Sequence, residues 1–304
     1  MSKRAFLFPG QGAQYVGMAK DLFANSESAR EMISQADDIL GYKLSEIMFN
    51  GPEDELKQTK NTQPAIFLHS VVLQSLVKSI DFDAAAGHSL GEYSALVALG
   101  ALSFEDALKL VSFRGQAMQQ SGVDNPGTMA AILGLAPEKI AQACIDASAE
   151  GIVQPANFNC PGQVVISGSV SGVRKGMELC KLSGAKLVKE LVVSGAFHSP
   201  LMQSAKDKME GELANTNILS ISKPVYANVT ASAVNNNDEI RKLLFQQVTS
   251  PVLWEQTILN LFSDGFTEFV EIGPGKVLQG LVKKIAPAAV CTGIDTYNDL
   301  EKYL

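Results

Sequence analysis

Short apolar runs alternate with amphipathic stretches along this chain, and the alternation predicts strands followed by helices. Arg4 to Phe8 reads as a buried strand that stops at Pro9-Gly10. A Gly-rich loop follows, and then an amphipathic helix through Val16, Met18, Leu22 and Phe23. Pro64 suits a first helical position and leads apolar residues at Ile66, Phe67, Val71, Leu73 and Leu76. Ala84 to Ala86 reads as a short strand running into a turn at Gly87, and Leu90 to Leu99 as a helix. Ser103, with Glu105 and Asp106 in the first turn, caps a helix predicted to run to about Gln119. Strands alternating with helices in this way indicate an α/β architecture with a mostly parallel sheet.

The middle of the chain changes rhythm. Thr128 to Leu135 reads as a strand and Pro137 to Glu150 as a helix begun by that proline. Ile152 to Asn157 and Gln163 to Ser167 are strands joined by the turn Asn159-Cys160-Pro161-Gly162. Val173 to Leu182 then reads as a helix and Lys186 to Val193 as a last strand. The order β-α-β-β-α-β is the ferredoxin-like arrangement. The expected organisation is therefore one catalytic domain made of residues 1–125 and 195–304, with residues 126–194 inserted as a small subdomain.

Composition narrows the class. At 304 residues the chain suits one large domain carrying a smaller one, and 46% apolar with 19% charged residues is ordinary for a globular core. A net charge of −7 argues against nucleic acid or an anionic membrane surface as a general partner. Cys144, Cys160, Cys180 and Cys291 lie far apart with no C-x-x-C pair, which speaks against a zinc site or disulfide framework and fits a reducing compartment. The apolar run behind Lys3 and Arg4 is too short for a signal-peptide core, and no apolar stretch nears the about 18 residues of a membrane span.

The chemistry centres on Gly87-His88-Ser89-Leu90-Gly91. A G-x-S-x-G between a strand and a helix is a nucleophile elbow, in which a sharp turn lifts the serine Oγ out of the sheet. Its glycines let strand and helix pass closely, and the helix aims free N–H groups at a developing oxyanion. By itself the same serine could simply cap a helix. A serine nucleophile needs a base, and the chain has three histidines. His69 lies among apolar residues of a helix, and His88 sits inside the turn and points away from Oγ. That leaves His198, in the loop Ser194-Gly195-Ala196-Phe197-His198-Ser199-Pro200, against the alternative of a structural loop histidine. No acidic residue stands where an α/β-hydrolase carries the third member of its triad, so a backbone carbonyl is left to hold the imidazole. Gly10-Gln11-Gly12 is not a dinucleotide loop, because the third glycine would fall at Tyr15; it reads instead as a tight loop offering a backbone N–H to the oxyanion, alongside that of Leu90. Arg114, taken alone, is more often a solvated or salt-bridged helix residue than a ligand.

Taken together, the segments resemble the malonyl-CoA:acyl carrier protein transacylase family. They are Phe8-Pro9-Gly10-Gln11-Gly12-Ala13-Gln14, Gln63-Pro64-Ala65, Gly87 to Tyr93, Arg114-Gly115-x-x-Met118, Gly127 to Ala131, Pro161 to Gly168, Ala196-Phe197-His198-Ser199, Ser250-Pro251-Val252-x-Trp254 and Glu271-x-Gly273-Pro274-Gly275-Lys276-Val277-Leu278. They follow the family's order across nearly the whole chain. Cys160 stands in a turn where the family more often has serine. The resemblance implies an α/β-hydrolase-like core with an inserted ferredoxin-like subdomain. It implies Ser89 as the acyl carrier, His198 as base and later acid, and the Gln247 main-chain carbonyl as the group that orients His198. It further implies an oxyanion hole from the N–H groups of Gln11 and Leu90, and Arg114 paired with the malonyl carboxylate by its planar fork. Phe197 then resembles the malonyl-preferring enzymes, crowding a methyl-branched extender.

Malonyl-CoA is the implied substrate and acyl carrier protein the implied partner, with no permanently bound cofactor, no metal, no nucleic acid and no membrane. Because that carrier is acidic, Lys186, Lys189, Lys276, Lys283 and Lys284 are candidate docking residues. A monomer is expected, in the bacterial cytoplasm or, after removal of a transit peptide, in a plastid stroma. The competing readings are a serine esterase or thioesterase and a catalytically silent scaffold domain.

Overall fold

The computed structural model describes residues 2–303. Ten strands form two sheets among the described residues. The larger contains β1 (Lys3–Phe8), β2 (Ala84–Gly87), β7 (Val225–Tyr226), β8 (Ala233–Val234), β9 (Phe266–Ile272) and β10 (Val290–Ile294), in the order β10-β9-β1-β2-β7-β8. All pairings in it are parallel except β7 with β8. Strand periodicity sorts β1 between two cores: Phe6 and Phe8 join one, Ala5 and Leu7 the other. A parallel sheet covered on both faces explains why these strands read as continuous apolar runs.

The smaller sheet is antiparallel, with β3 (Gly127–Leu133), β4 (Val153–Cys160), β5 (Gln163–Ser169) and β6 (Leu187–Glu190) in the order β4-β5-β3-β6. One face, through Ala130, Ile132, Val164 and Ile166, packs against the helices Pro137–Ala147 and Val170–Leu182. The other, through Met129, Ala131 and Val165, joins the main core. The two chain ends of this unit meet where the helix Phe104–Asp124 passes Ser194: a Cβ at Gly122 would lie 2.1 Å from the Ser194 carbonyl oxygen. Backbone bonds from Phe158 N–H to the Val252 carbonyl (2.9 Å) and from Val252 N–H to the Ala156 carbonyl (2.8 Å) tie β4 to the loop Ser250–Leu253.

Two local expectations change. The helix expected through Val16 begins only at Lys20, because Gly12 (φ 105°), Gly17 (φ 100°) and Ala19 (φ 60°) hold the preceding segment in turns. Met18 is buried outside the helix, so its apolar character reflected burial and not helix, while Leu22 is buried within Lys20–Asn25. Pro64 lies inside a helix running from Thr59 to Leu76, not at its start. Asn61 Nδ2 donates to the Glu55 carbonyl (2.9 Å) and Thr62 Oγ1 to the Leu56 carbonyl (2.5 Å), tying the first turn of this helix to the short helix Glu53–Leu56 before it. Glu271, buried at the end of β9, accepts from the N–H groups of Leu278 (2.9 Å) and Gln279 (3.0 Å) and so caps the helix Val277–Ile285.

Candidate active site

Ser89 follows β2 and precedes the helix Gly91–Ala98, with φ 50°. The turn is so tight that a Cβ at Gly87 would lie 1.9 Å from the Gly91 carbonyl carbon, and one at Gly91 would lie 2.1 Å from the Phe8 carbonyl oxygen. Only glycine fits either place. His198 is also in the left-handed region, at φ 58°. Two of the four such non-glycine residues among the described residues are thus the expected nucleophile and base. Backbone strain of this kind gathers where geometry matters to function.

Ser89 Oγ lies 2.8 Å from His198 Nε2. His198 Nδ1 faces two carbonyl oxygens, Gln247 at 2.9 Å and Ser250 at 3.1 Å. Nδ1 therefore carries the proton, and Nε2 is left to accept from the Ser89 hydroxyl. Burial, and then the nearby Arg114 cation, push the His198 pKa down to about 3, while the carbonyl contacts oppose that shift. The ring is a neutral base at physiological pH.

Arg114 is fully buried in the helix Phe104–Asp124. Its Nη1 donates to Gln63 Oε1 (2.7 Å), and its Nη2 donates to Ser89 Oγ (3.0 Å) and Gln247 Oε1 (3.0 Å). Its Nε meets no acceptor, and no salt bridge reaches it among the described residues. Read alone, Arg114 favoured a solvated or salt-bridged position; the fold instead seats it beside the nucleophile with uncharged partners. Burying a cation with no anion bonded to it is costly, and the buried acid Glu92 reaches Arg114 only through Gln247.

Gln247 joins these groups. Its carbonyl holds His198, its Oε1 holds Arg114, and its Nε2 donates to the Ser89 carbonyl (3.1 Å) and to Glu92 Oε2 (3.0 Å). Glu92 is buried, and burial raises its carboxyl pKa to about 7 against the opposing bonds from Asn228 and Gln247. A carboxyl whose pKa is raised on folding stabilises the protein below its unfolded value of about 4.5, and that contribution is lost as pH rises through about 7. Glu92→Gln lacks the ionisation, so its stability relative to wild type should improve by roughly 3 kcal/mol between about pH 4 and pH 8. Denaturant melts across that range check this; parallel pH curves would contradict it.

A cavity of about 210 Å³ opens over Ser89. Gln11, Leu90, Phe197 and His198 line it from the large-sheet side, and Met129, Val165, Leu191 and Val193 from the small-sheet side. Among the described residues no acceptor meets the backbone N–H of Gln11 or of Leu90. His88 turns from Oγ, its Nε2 at 2.9 Å from Asn159 Oδ1 and its ring against Trp254. His69 is buried with Nε2 at 2.7 Å from the Asp295 carbonyl, apart from this network.

The acyl transferase domain family matches residues 5–297. The malonyl CoA-acyl carrier protein transacylase of Bacillus subtilis is 48% identical over 288 residues, covering 94% of this chain and 91% of its own. The chain belongs to the malonyl-CoA:acyl carrier protein transacylase family. An acyl carrier protein S-malonyltransferase crystal structure from Vibrio cholerae superposes with TM-score 0.95 at 40% identity, each chain fully covered. A malonyl-transacylase solved in complex with a type II PKS acyl-carrier protein superposes with TM-score 0.95 at 37% identity, covering 100% of this chain and 99% of that one. The acyltransferase fold and membership of an enzyme family are therefore established.

Three buried partners had no role assigned from the sequence: Gln63 and Glu92, which lie in segments that carry the family resemblance, and Asn228, which does not. Glu92 stands in the first turn of a helix, where an acidic residue ordinarily answers the helix dipole. Asn228 offered a signal: it follows β7, at the carboxyl end of a parallel strand, where α/β sheets place their sites.

Proposed function

We propose that this chain transfers malonyl groups from malonyl-CoA to the phosphopantetheine thiol of acyl carrier protein through a malonyl ester on Ser89. The observation that carries the substrate is Arg114: a buried guanidinium bonded to the nucleophile, with no carboxylate bonded to it among the described residues. A malonyl group attached at Ser89 presents its free carboxylate to that cation, and a guanidinium fork matches a carboxylate with two parallel bonds.

The steps follow from the hydrogen bonds. Ser89 Oγ attacks the thioester carbonyl while His198 Nε2 takes the hydroxyl proton. The N–H groups of Gln11 and Leu90 receive the oxyanion. The C–S bond breaks, and His198 returns the proton to the CoA thiolate. The carrier thiol then gives its proton to His198 and attacks the ester carbonyl, the C–O bond to Ser89 breaks, and Ser89 recovers its hydroxyl proton from His198. The Gln247 carbonyl holds the imidazole tautomer throughout, the part an acid plays in a triad. No resident cofactor enters these steps; CoA comes and goes as part of the substrate.

The subdomain of residues 126–194 walls the cavity through Met129 and Val165 and limits water at the ester. Phe197 narrows the acyl end. Lys189 pairs with Ala131 across β6 and β3, and so shares the face of the small sheet that turns toward the cavity. It is the docking lysine best supported for an acidic carrier; Lys186, Lys276, Lys283 and Lys284 are also exposed. No helix among the described residues is long and apolar enough to cross a membrane, and we place the activity in the bacterial cytoplasm, with a plastid stroma as the other setting and a monomer as the working unit.

Malonyl-CoA incubated with the protein should release little free malonate, with rapid transfer appearing only when carrier protein is added. Malonate release at the same rate with or without carrier would instead identify a thioesterase.

A further inference from the structure

The nucleophile turn holds a clamp that the steps above do not use. Asn228 is fully buried two residues beyond β7. Its Oδ1 accepts from the Ser89 N–H (2.6 Å), and its Nδ2 donates to the Gly87 carbonyl (2.6 Å). Its own backbone is fixed as well, the N–H donating to Glu92 Oε2 (2.9 Å) and the carbonyl accepting from Leu253 N–H (3.0 Å). One primary amide thus spans both limbs of the elbow, and Glu92 Oε2 links it to Gln247 and through Gln247 to Arg114 and His198.

Such a clamp has physical work to do. A serine at φ 50° is held against its own backbone preference, and only surrounding bonds keep it there. Relaxation of that torsion moves Oγ relative to His198 Nε2. The same bond occupies the Ser89 N–H, whereas the N–H of Leu90, a residue that lines the cavity, meets no acceptor among the described residues.

We infer that Asn228 is a positioning residue for acyl transfer, its side-chain amide bridging Ser89 N–H and the Gly87 carbonyl to hold the nucleophile in its left-handed conformation. The inference rests on Ser89 as the acylated group. No hydrogen bond joins Asn228 to Arg114 among the described residues, so its effect falls on malonyl and acetyl groups alike.

The test compares acylation of wild type, Asn228→Ala and Asn228→Asp by malonyl-CoA and by acetyl-CoA, with rates taken per folded molecule. Wild-type charging at Ser89 is the control: its absence sinks the proposed function, whatever the variants do. With wild type charged, Asn228→Ala should lose roughly ten- to a hundredfold in kcat for both acyl groups while KM stays within about twofold. Asn228→Asp keeps an acceptor for Ser89 N–H, but its ionised form turns a carboxylate oxygen on the Gly87 carbonyl, and protonation restores a donor there. Glu92 is the ionisable side chain bonded to Asn228, with Arg114 and His198 next through Gln247, and wild type carries all three. The activity of Asn228→Asp relative to wild type should therefore climb as pH falls. Unchanged kcat in Asn228→Ala overturns the inference, as does a loss confined to KM or to one acyl group. Should Asn228→Ala fail to fold, Asn228→Asp decides alone, and a ratio that is low and independent of pH overturns it.

Discussion

Ser89→Ala is expected to abolish acyl-enzyme formation and to lower malonyl transfer by roughly 10⁵- to 10⁶-fold, the scale seen when a serine nucleophile is removed. The expectation follows from geometry that no other hydroxyl among the described residues shares: Oγ is within hydrogen-bond distance of both His198 Nε2 (2.8 Å) and Arg114 Nη2 (3.0 Å). His198→Ala should fall nearly as far, and the double variant no further than the worse single one, because the pair acts as a unit. Rapid-quench labelling from radioactive malonyl-CoA measures all three. Residual labelling of Ser89→Ala at a wild-type rate would put the nucleophile elsewhere.

Arg114→Ala carries the second large effect, and it is selective. Loss of a buried charged partner for the malonyl carboxylate should cost about 2–5 kcal/mol in kcat/KM for malonyl-CoA. Acetyl-CoA has no carboxylate to lose, so its transfer should change far less and the preference between the two groups should collapse. Arg114→Lys should fall between, since an ammonium keeps the charge without the two parallel donors. Steady-state rates with both thioesters read this out. An equal fall for malonyl and acetyl would show that Arg114 serves the fold or the Ser89 hydroxyl and not the carboxylate.

What the chain revealed before its fold was known divides along a physical line. Gly87, Ser89 and Gly91 were legible because the elbow is a contiguous motif: a Cβ at Gly87 would collide with the backbone of Gly91 only four residues on, although one at Gly91 would strike Phe8 of β1. His198 was legible by elimination among three histidines. The α/β and β-α-β-β-α-β rhythms were legible because strands with both faces in apolar cores read as short apolar runs between amphipathic helices. Arg114 was ambiguous, because burial of a long cation depends on Gln63 and Gln247, far away in sequence. The partners of Asn228 were hidden for the same reason: its side chain bonds residues 139 and 141 positions away. The burial of Glu92 was hidden too, and its bonds go to Gln247 and Asn228 and not to His198. The turn from Gly12 to Ala19 misled because apolar residues buried in a loop carry the same signature as a helix face.

The central claim is that Ser89 carries a malonyl group between two thiols. Intact-mass analysis after malonyl-CoA, followed by addition of acyl carrier protein, tests it most directly. One malonyl adduct should form on the protein and map to Ser89, then vanish on addition of the carrier as the same mass appears on the carrier's phosphopantetheine. An adduct on another residue, no adduct at all, or an adduct lost to water as free malonate while the carrier stays unmodified would contradict it.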